Sequence, residues 1–436
     1  MPRIVGYPIP FMRHRFSKST SGLLAFLFFL TGVPFSAWAV DDPVLEPYFI
    51  ASAAYNRKLY PVAVSQFEAF LKKNPNHAKA DLARRGLGLS LYALKFYPKA
   101  IPHFEALLAK PNLDKTINRE RLIMLQGQCL LYSGEKDKAS KHFMDWHAKL
   151  KTPAFKTAAL AKVCDLSFEK SQWEVVIEWT AKLAASGPDD NQAARGLYQR
   201  GFALYQTDKI EEAAVALAKV GPLETIPEWK TRSAYLQGEC HVLLDQLDKA
   251  EPALAAALPG MTGPEKATCQ YRLGLARYLL KKYELAIVDF EAYLKLPKAE
   301  TDDKKPGKGK RKKKFLDAGA NVEDAKFFIA RSHFVLEDYN KAERGFSSLA
   351  TGANLIAAKA NLWWARVHSR GKSNFERAAQ ILGESTLRLN KPSTGLHNAP
   401  IIDDLEFDYA NALIGSKKPD WKLAASALSH VEGRGK

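Results

Sequence analysis

Cysteine is scarce in this chain: four residues in 436, at Cys129, Cys164, Cys240 and Cys269, and none belongs to a C-x-x-C pair. So few thiols exclude a dense disulfide framework. Catalytic motifs are missing as well. There is no H-E-x-x-H and no G-x-S-x-G, and Pro306-Gly307-Lys308-Gly309-Lys310 lacks the spacing and the Ser or Thr of a Walker A loop. The ten histidines never pair at i, i+3 or i+4. His142 and His147, five apart, fall on different faces of a helix, which suits a shared metal poorly. The chain therefore reads as a non-enzyme without metal or cofactor. Beyond the first thirty residues no apolar run approaches the roughly twenty needed to cross a bilayer.

What is present is ample core material: 47% hydrophobic and 25% charged residues, the composition of a packed protein and not of a disordered one. The net charge of +17 is unevenly placed. Residues 1–39 supply +4 and residues 298–314 supply +6, which leaves +7 for all the rest. Basicity is local here, so a nucleic-acid partner is not indicated.

The N-terminus has the layout of a secretory signal. Arg13, Arg15 and Lys18 precede the apolar run from Leu23 to Leu30, then Gly32 and Pro34 break it, and Ala37-Trp38-Ala39 offers an A-x-A site. Cleavage before Val40 is expected, with Met12 an alternative start. The competing reading, a membrane anchor, needs a longer apolar run than these eight residues. An exported, periplasmic or envelope-associated location follows as an expectation.

Self-similarity dominates the remainder. The pattern is an aromatic, two residues, Ala, three residues, then Phe or Leu: Tyr60…Ala63…Phe67, Tyr97…Ala100…Phe104, Tyr283…Ala286…Phe290, Tyr339…Ala342…Phe346 and Phe375…Ala378…Leu382. Weaker copies stand at Ala139/Phe143, Trp173/Val176, Ala213/Leu217, Ala250/Leu254 and Trp421/Ala424/Leu428. Successive Ala positions step by 37, 39, 37, 37, 37, 36, 56, 36 and 46 residues, ten units with two insertions. Twelve residues before the first eight of these positions lies a small residue: Ala51, Gly88, Gly127, Cys164, Gly201, Gly238, Gly274 and Ala330. Within one unit, Gln270–Leu279 has apolar residues at helical spacing, Lys281-Lys282-Tyr283 reads as a turn, and Glu284–Leu296 as a second helix stopped by Pro297. A small residue of the first helix, facing the Ala of the second, would let the pair approach closely. One hairpin cannot bury its apolar face alone, but stacked hairpins can.

The Leu-Gly…Tyr…Ala…Phe…Pro arrangement resembles the tetratricopeptide repeat (TPR), stretched by about three residues per unit, over roughly residues 44–431. With the signal, the likeness is to the exported, periplasmic bacterial type. The expected fold is all-α, a right-handed α-solenoid of about ten TPR-like hairpins. Repeats 1–7 would occupy 40–297, a basic disordered insert 298–318, and repeats 8–10 residues 319–436, with room for continuation beyond. The copy at 156–188 is the weakest, since Val176 and Thr180 replace the expected Ala and large apolar residue.

The resemblance places two rows of helix A on a concave face where partners dock. Three residues before the small position stand Tyr48, Tyr198, Tyr235, Tyr271 and Phe327, and four after it Tyr55, Tyr92, Phe168, Tyr205, Tyr278 and Phe334. Arg121, Arg195 and Arg232 precede it by six. Aromatic residues also occupy these positions for packing alone. The Lys/Asn pattern of chaperone-binding TPR clamps is not reproduced. Partner contacts are expected at Tyr198, Tyr205, Tyr235, Tyr271, Tyr278, Phe327, Phe334, Arg195 and Arg232. The insert, with Lys308, Lys310, Arg311, Lys312, Lys313 and Lys314, would meet an anionic envelope surface or remain a solvated loop. Cys164 takes the small-residue slot of its helix. The cysteines read as buried free thiols, a Cys129–Cys164 bridge being the other reading. The leading expectation is an exported scaffold for protein–protein interaction, and the second a binder of envelope polymers or anionic surfaces.

Overall fold

The computed structural model describes residues 43–296, 322–431 and 433. The signal segment and the basic insert lie outside the described residues. Within them there are twenty α-helices and no strand. The helices form ten consecutive pairs, the number that the Ala ladder gives. In order these are α1 (Glu46–Asn56) and α2 (Tyr60–Lys73), α3 (Ala80–Ala93) and α4 (Tyr97–Leu108), and α5 (Arg119–Tyr132) and α6 (Lys136–Trp146). Next come α7 (Pro153–Glu169) and α8 (Trp173–Ala184), α9 (Asp190–Gln206) and α10 (Ile210–Ala218), and α11 (Pro227–Leu243) and α12 (Leu247–Ala257). The last four pairs are α13 (Gly263–Leu279) with α14 (Tyr283–Lys295), α15 (Val322–Val335) with α16 (Tyr339–Leu349), α17 (Leu355–Arg366) with α18 (Phe375–Leu389), and α19 (Pro400–Gly415) with α20 (Trp421–Ser429). We call the first helix of each pair A and the second B.

The described residues divide into two compact units within α6, residues up to His142 in the first and from Phe143 in the second. In the first, α2 packs on α3 and α4 on α5; in the second, each B helix from α8 to α18 packs on the next A helix. Neighbouring A helices also touch, as α7 does α9 and α15 does α17.

Local chemistry explains where these helices start and stop. Pro47, Pro61, Pro98, Pro153, Pro227, Pro264 and Pro400 sit in first turns, where a missing N–H costs nothing. Asp189, Asp338, Asn354, Asn374 and Asp420 cap helices by accepting from the backbone N–H three residues on. Helix A closes on a left-handed residue. In the seventh pair Lys281 has φ 61°, its N–H donates to Tyr278 O at 3.0 Å, and that of Lys282 donates to Arg277 O at 2.9 Å. That is a Schellman closure.

The Ala ladder is the inner seam. Ala63, Ala100, Ala139, Val176, Ala213, Ala250, Ala286, Ala342 and Ala378 are fully buried, and Ala424 almost so. The weak fourth copy is a regular hairpin, in which the buried Thr180 hydroxyl donates to Val176 O at 2.6 Å. The expected facing of the small residue and the Ala needs correction. A Cβ on Gly274 would meet Phe290 Cδ1 at 3.1 Å and Asp289 Cβ at 3.2 Å, and one on Gly88 would meet Phe104 Cε1 at 2.7 Å. The small residue faces the large residue four positions after the Ala. Equal counting from the turn explains this, because Gly274 is seven residues before Lys281 and the opposite residue in an antiparallel pair lies about as far beyond it, past Ala286.

Helix α17 departs from the spacing. Its C-terminus runs into a π-helical turn, Val367–Gly371, that absorbs one extra residue. Twelve before Ala378 is Arg366; the buried small residue is Ala365, 1% exposed.

Candidate functional site

The A helices carry the residues that the sequence singles out, and their positions relative to the small residue decide which can be reached. Three before it, the side chains of Tyr48, Tyr271 and Phe327 turn onto their own B helices. Tyr271 is 2% exposed, its ring 5.6 Å from Phe290 and 5.4 Å from Tyr293. Phe327 is 8% exposed and lies 5.7 Å from Phe346. Both belong to the hydrophobic core and not to a docking face, which corrects the expectation for these two. Tyr235 and Tyr198 are half-buried. Burial pushes the Tyr235 hydroxyl well above the usual tyrosine range, and the Tyr198 ring lies 5.7 Å from Trp229.

Four after the small residue, the rings are half-buried and bridge hairpins. Tyr278 lies 4.8 Å from Phe328, and its hydroxyl accepts from Arg331 Nε at 3.3 Å. Phe334 lies 5.1 Å from Trp363, and Tyr205 is likewise half-buried. Arg195 pairs with Asp165 at 2.7 Å, whereas the exposed Arg232 pairs with Glu228 at 2.8 Å and approaches the Trp229 ring at 5.8 Å.

These contacts belong to a series of polar rungs between successive A helices. Tyr92 OH on α3 donates to Gln128 Oε1 on α5 at 3.0 Å. Asp165 on α7 is ion-paired at Oδ1 with Arg195 of α9 and accepts there from Gln199 of α9 at 3.0 Å. Glu239 on α11 accepts from Arg272 of α13 at 3.0 Å. The Arg331 guanidinium of α15 stacks on the Trp363 ring of α17 at 3.1 Å, and Arg366 lies 4.6 Å over the same ring while donating to Asp408 of α19 at 2.6 Å. Apart from Arg195, Phe334 and Tyr278, sequence reasoning missed the rungs of the second unit. Their partners stand 32 to 42 residues apart, as Trp363 does from Arg331 and Asp408 from Arg366. The one-residue shift in α17 hid Trp363 besides.

Between α7, α8 and α9 the rung at Asp165 borders a cleft of about 180 Å³, lined by Ala158, Ala161, Lys162, Asp165, Leu183, Gln192, Arg195, Gly196 and Gln199. Burial pushes the Asp165 carboxyl up, with the Arg195 charge opposing.

All four cysteines are free and buried, so the Cys129–Cys164 bridge is not formed. Burial pushes the thiols of Cys129, Cys164 and Cys269 up to about 12, which leaves them unreactive at neutral pH. His142 Nε2 contacts Ile123 O at 2.8 Å and His147 Nδ1 contacts Met144 O at 2.7 Å, so each ring already serves a backbone carbonyl. Among the described residues no group of three or more His, Cys, Asp or Glu is arranged for a metal, and no helix is long and apolar enough to cross a membrane. The residues Lys308, Lys310, Arg311, Lys312, Lys313 and Lys314 lie outside the described residues.

No protein-family model matches the sequence, and a search of curated proteins finds no match. Among solved structures, the chain is similar to the C-terminal part of a TPR repeat-containing protein from Cytophaga hutchinsonii, at 16% identity and a TM-score of 0.40, covering 57% of this chain and 94% of that one. It is similar to a STAND protein with a tetratricopeptide repeat sensor from Pyrococcus horikoshii, at 14% identity and a TM-score of 0.39, covering 86% and 52%. It is also similar to the TPR2AB domain of yeast Sti1 in a pHSP90 complex, at 15% identity and a TM-score of 0.31, covering 71% and 100%. The repeat these structures carry is the tetratricopeptide repeat, the one this chain's own motif resembles.

Proposed function

We propose that the chain is a scaffold that gathers partner proteins along the A helices of its second unit, and that it acts outside the cytoplasm. The observation that carries the reading is the stack of Arg331, Trp363 and Arg366 beside Phe334, with Tyr278 bonded to Arg331. Each of these five side chains is half-buried, so each keeps a surface that a partner can cover. Tyr, Trp and Arg held rigid by their neighbours are the residues that dominate binding energy at protein interfaces. Action outside the cytoplasm rests on the signal pattern at residues 1–39.

The test is capture of host proteins on immobilised protein, compared quantitatively between the parent and an Arg331→Ala/Trp363→Ala variant. Loss of one such anchor typically costs 2 kcal/mol or more, roughly a thirty-fold drop in affinity. Partners that depend on this face should fall by at least that factor, while Val215→Ser on the exposed side of α10 should leave them unchanged. Identical capture by parent and double variant would remove the reading.

A second reading rests on nine Lys and Arg within residues 298–314, which suit an anionic envelope surface.

A further inference from the structure

The cleft between α7, α8 and α9 marks a missing rung in the chain's own aromatic ladder. In the first eight hairpins the position three before the small residue holds Tyr48, Arg85, Met124, Ala161, Tyr198, Tyr235, Tyr271 and Phe327, and Ala161 alone is small. In the first, seventh and eighth hairpins the ring in this register packs onto its own B helix. Tyr48 lies 5.6 Å from Phe70, and Tyr271 lies 5.4 Å from Tyr293; both partners stand seven after the ladder Ala. In the fourth hairpin the residue seven after Val176 is Leu183, and Leu183 and Ala161 both line the cleft. Where six hairpins supply a ring or a long side chain and a seventh an arginine, this one supplies a methyl group and an opening.

We propose that this opening is a subsite for one tyrosine side chain of a partner polypeptide, bound as the rung that the chain omits. The proposal rests on the scaffold reading above and names one of its contacts. Size supports it: the cleft measures about 180 Å³, and a buried cavity of about 150 Å³ already accepts benzene. Ala158, Ala161, Leu183 and Gly196 offer apolar wall for a ring. The rim is polar, and one acceptor on it stands ready. Arg195 is ion-paired with Oδ1 of Asp165 and Gln199 donates to the same oxygen, and no hydrogen bond to Oδ2 is found among the described residues. A phenol hydroxyl would donate to Oδ2, and Lys162 and Gln192 complete the rim. A bare phenyl ring would leave that carboxylate oxygen facing apolar surface, a cost that selects for the hydroxyl.

The experiment uses the full chain with p-cresol and toluene as probes, followed by ligand-observed NMR. p-Cresol should bind saturably and toluene at least ten-fold more weakly. Ala161→Phe fills the opening from within, as the ladder does elsewhere, so it should abolish p-cresol binding and melt no lower than the parent. Ala158→Leu closes the same space from a second position and decides the matter if Ala161→Phe folds poorly. Unchanged p-cresol binding in both filled variants overturns the site, and toluene binding as tightly as p-cresol overturns the tyrosine assignment. Partner capture separates this proposal from the reading beneath it. Capture lost in Arg331→Ala/Trp363→Ala but retained in Ala161→Phe overturns the subsite alone, whereas capture indifferent to both removes the scaffold reading.

Discussion

Eight residues other than glycine hold a left-handed backbone at the ends of A helices: Lys58, Lys95, Ser171, Asp208, Asp245, Lys281, Glu337 and Ser373, with φ between 49° and 65°. Gly134, at φ 79°, is the ninth in this register. All nine stand five residues before the ladder residue of the following helix. An L side chain pays for this conformation, typically about 1–2 kcal/mol, and glycine does not. Lys281→Gly should therefore raise stability, by about 1 kcal/mol once the greater freedom of glycine in the unfolded chain is counted. Equilibrium denaturation of parent and variant measures it, and a loss of stability would show that the Lys281 side chain contributes more than its backbone costs. The opposite sign is expected at Gly88, where a Cβ would stand 2.7 Å from the Phe104 ring. Gly88→Ala should cost about 1–3 kcal/mol by overpacking, read in the same experiment. The two positions differ in legibility. A small residue at fixed spacing from Ala is visible in one sequence, because only small residues fit there. The left-handed position is invisible, since lysine, serine, aspartate and glutamate carry no mark of a positive φ.

Between elements, the junction of α12, α13 and α14 is tied by a buried polar cluster. Arg277 donates from Nη1 to Asp289 Oδ2 at 2.8 Å and from Nε to Glu251 Oε1 at 3.1 Å. Gln270 donates to Asp289 Oδ1 at 2.8 Å, and Lys282 completes the cluster on Glu251. Asp289 is 4% exposed, so its charge depends on these partners. Arg277→Met would strand a buried carboxylate, a loss of about 3–5 kcal/mol at neutral pH. Burial already pushes the Asp289 carboxyl up, against the pull of Arg277. Without the arginine it rises further, and the folded state then prefers the protonated acid. The penalty should therefore be full near pH 7 and shrink as pH falls through the raised folded value. Denaturation of parent and variant at pH 7 and pH 5 tests this; an equal penalty at both would mean that Asp289 stays ionised or finds another donor. Nothing in the sequence announces the cluster. The hairpin pattern could be read because it repeats, whereas Glu251, Arg277 and Asp289 meet in one junction only.

At the scale of the whole chain, ten hairpins were legible because the small and aromatic positions recur in most of them at one spacing from the ladder residue, and the face was half legible. Aromatic residues at two registers looked alike in the sequence, yet Tyr271 turns into the core and Tyr278 stays within reach. Direction along a helix decides that, and composition does not. The basic stretch poses a different question, since it has charge without period. Between Asp302 and Lys314 it holds Pro306, Gly307 and Gly309 and no apolar residue at helical spacing. Such a segment has no face to add to a hairpin stack. α14 ends at Lys295 and α15 begins at Val322, so deletion of 302–314 leaves a connector on each side of the cut. The deletion should match the parent within about 1 kcal/mol in thermal stability, as surface changes do. Association with anionic vesicles should weaken, and its steep dependence on salt should flatten, because fewer cations remain to release counterions. A deletion that unfolds the protein would assign the stretch to the fold after all. One that folds and binds anionic vesicles as before would remove the anionic-surface reading and leave the proposed contact along the A helices as the reading still to be tested.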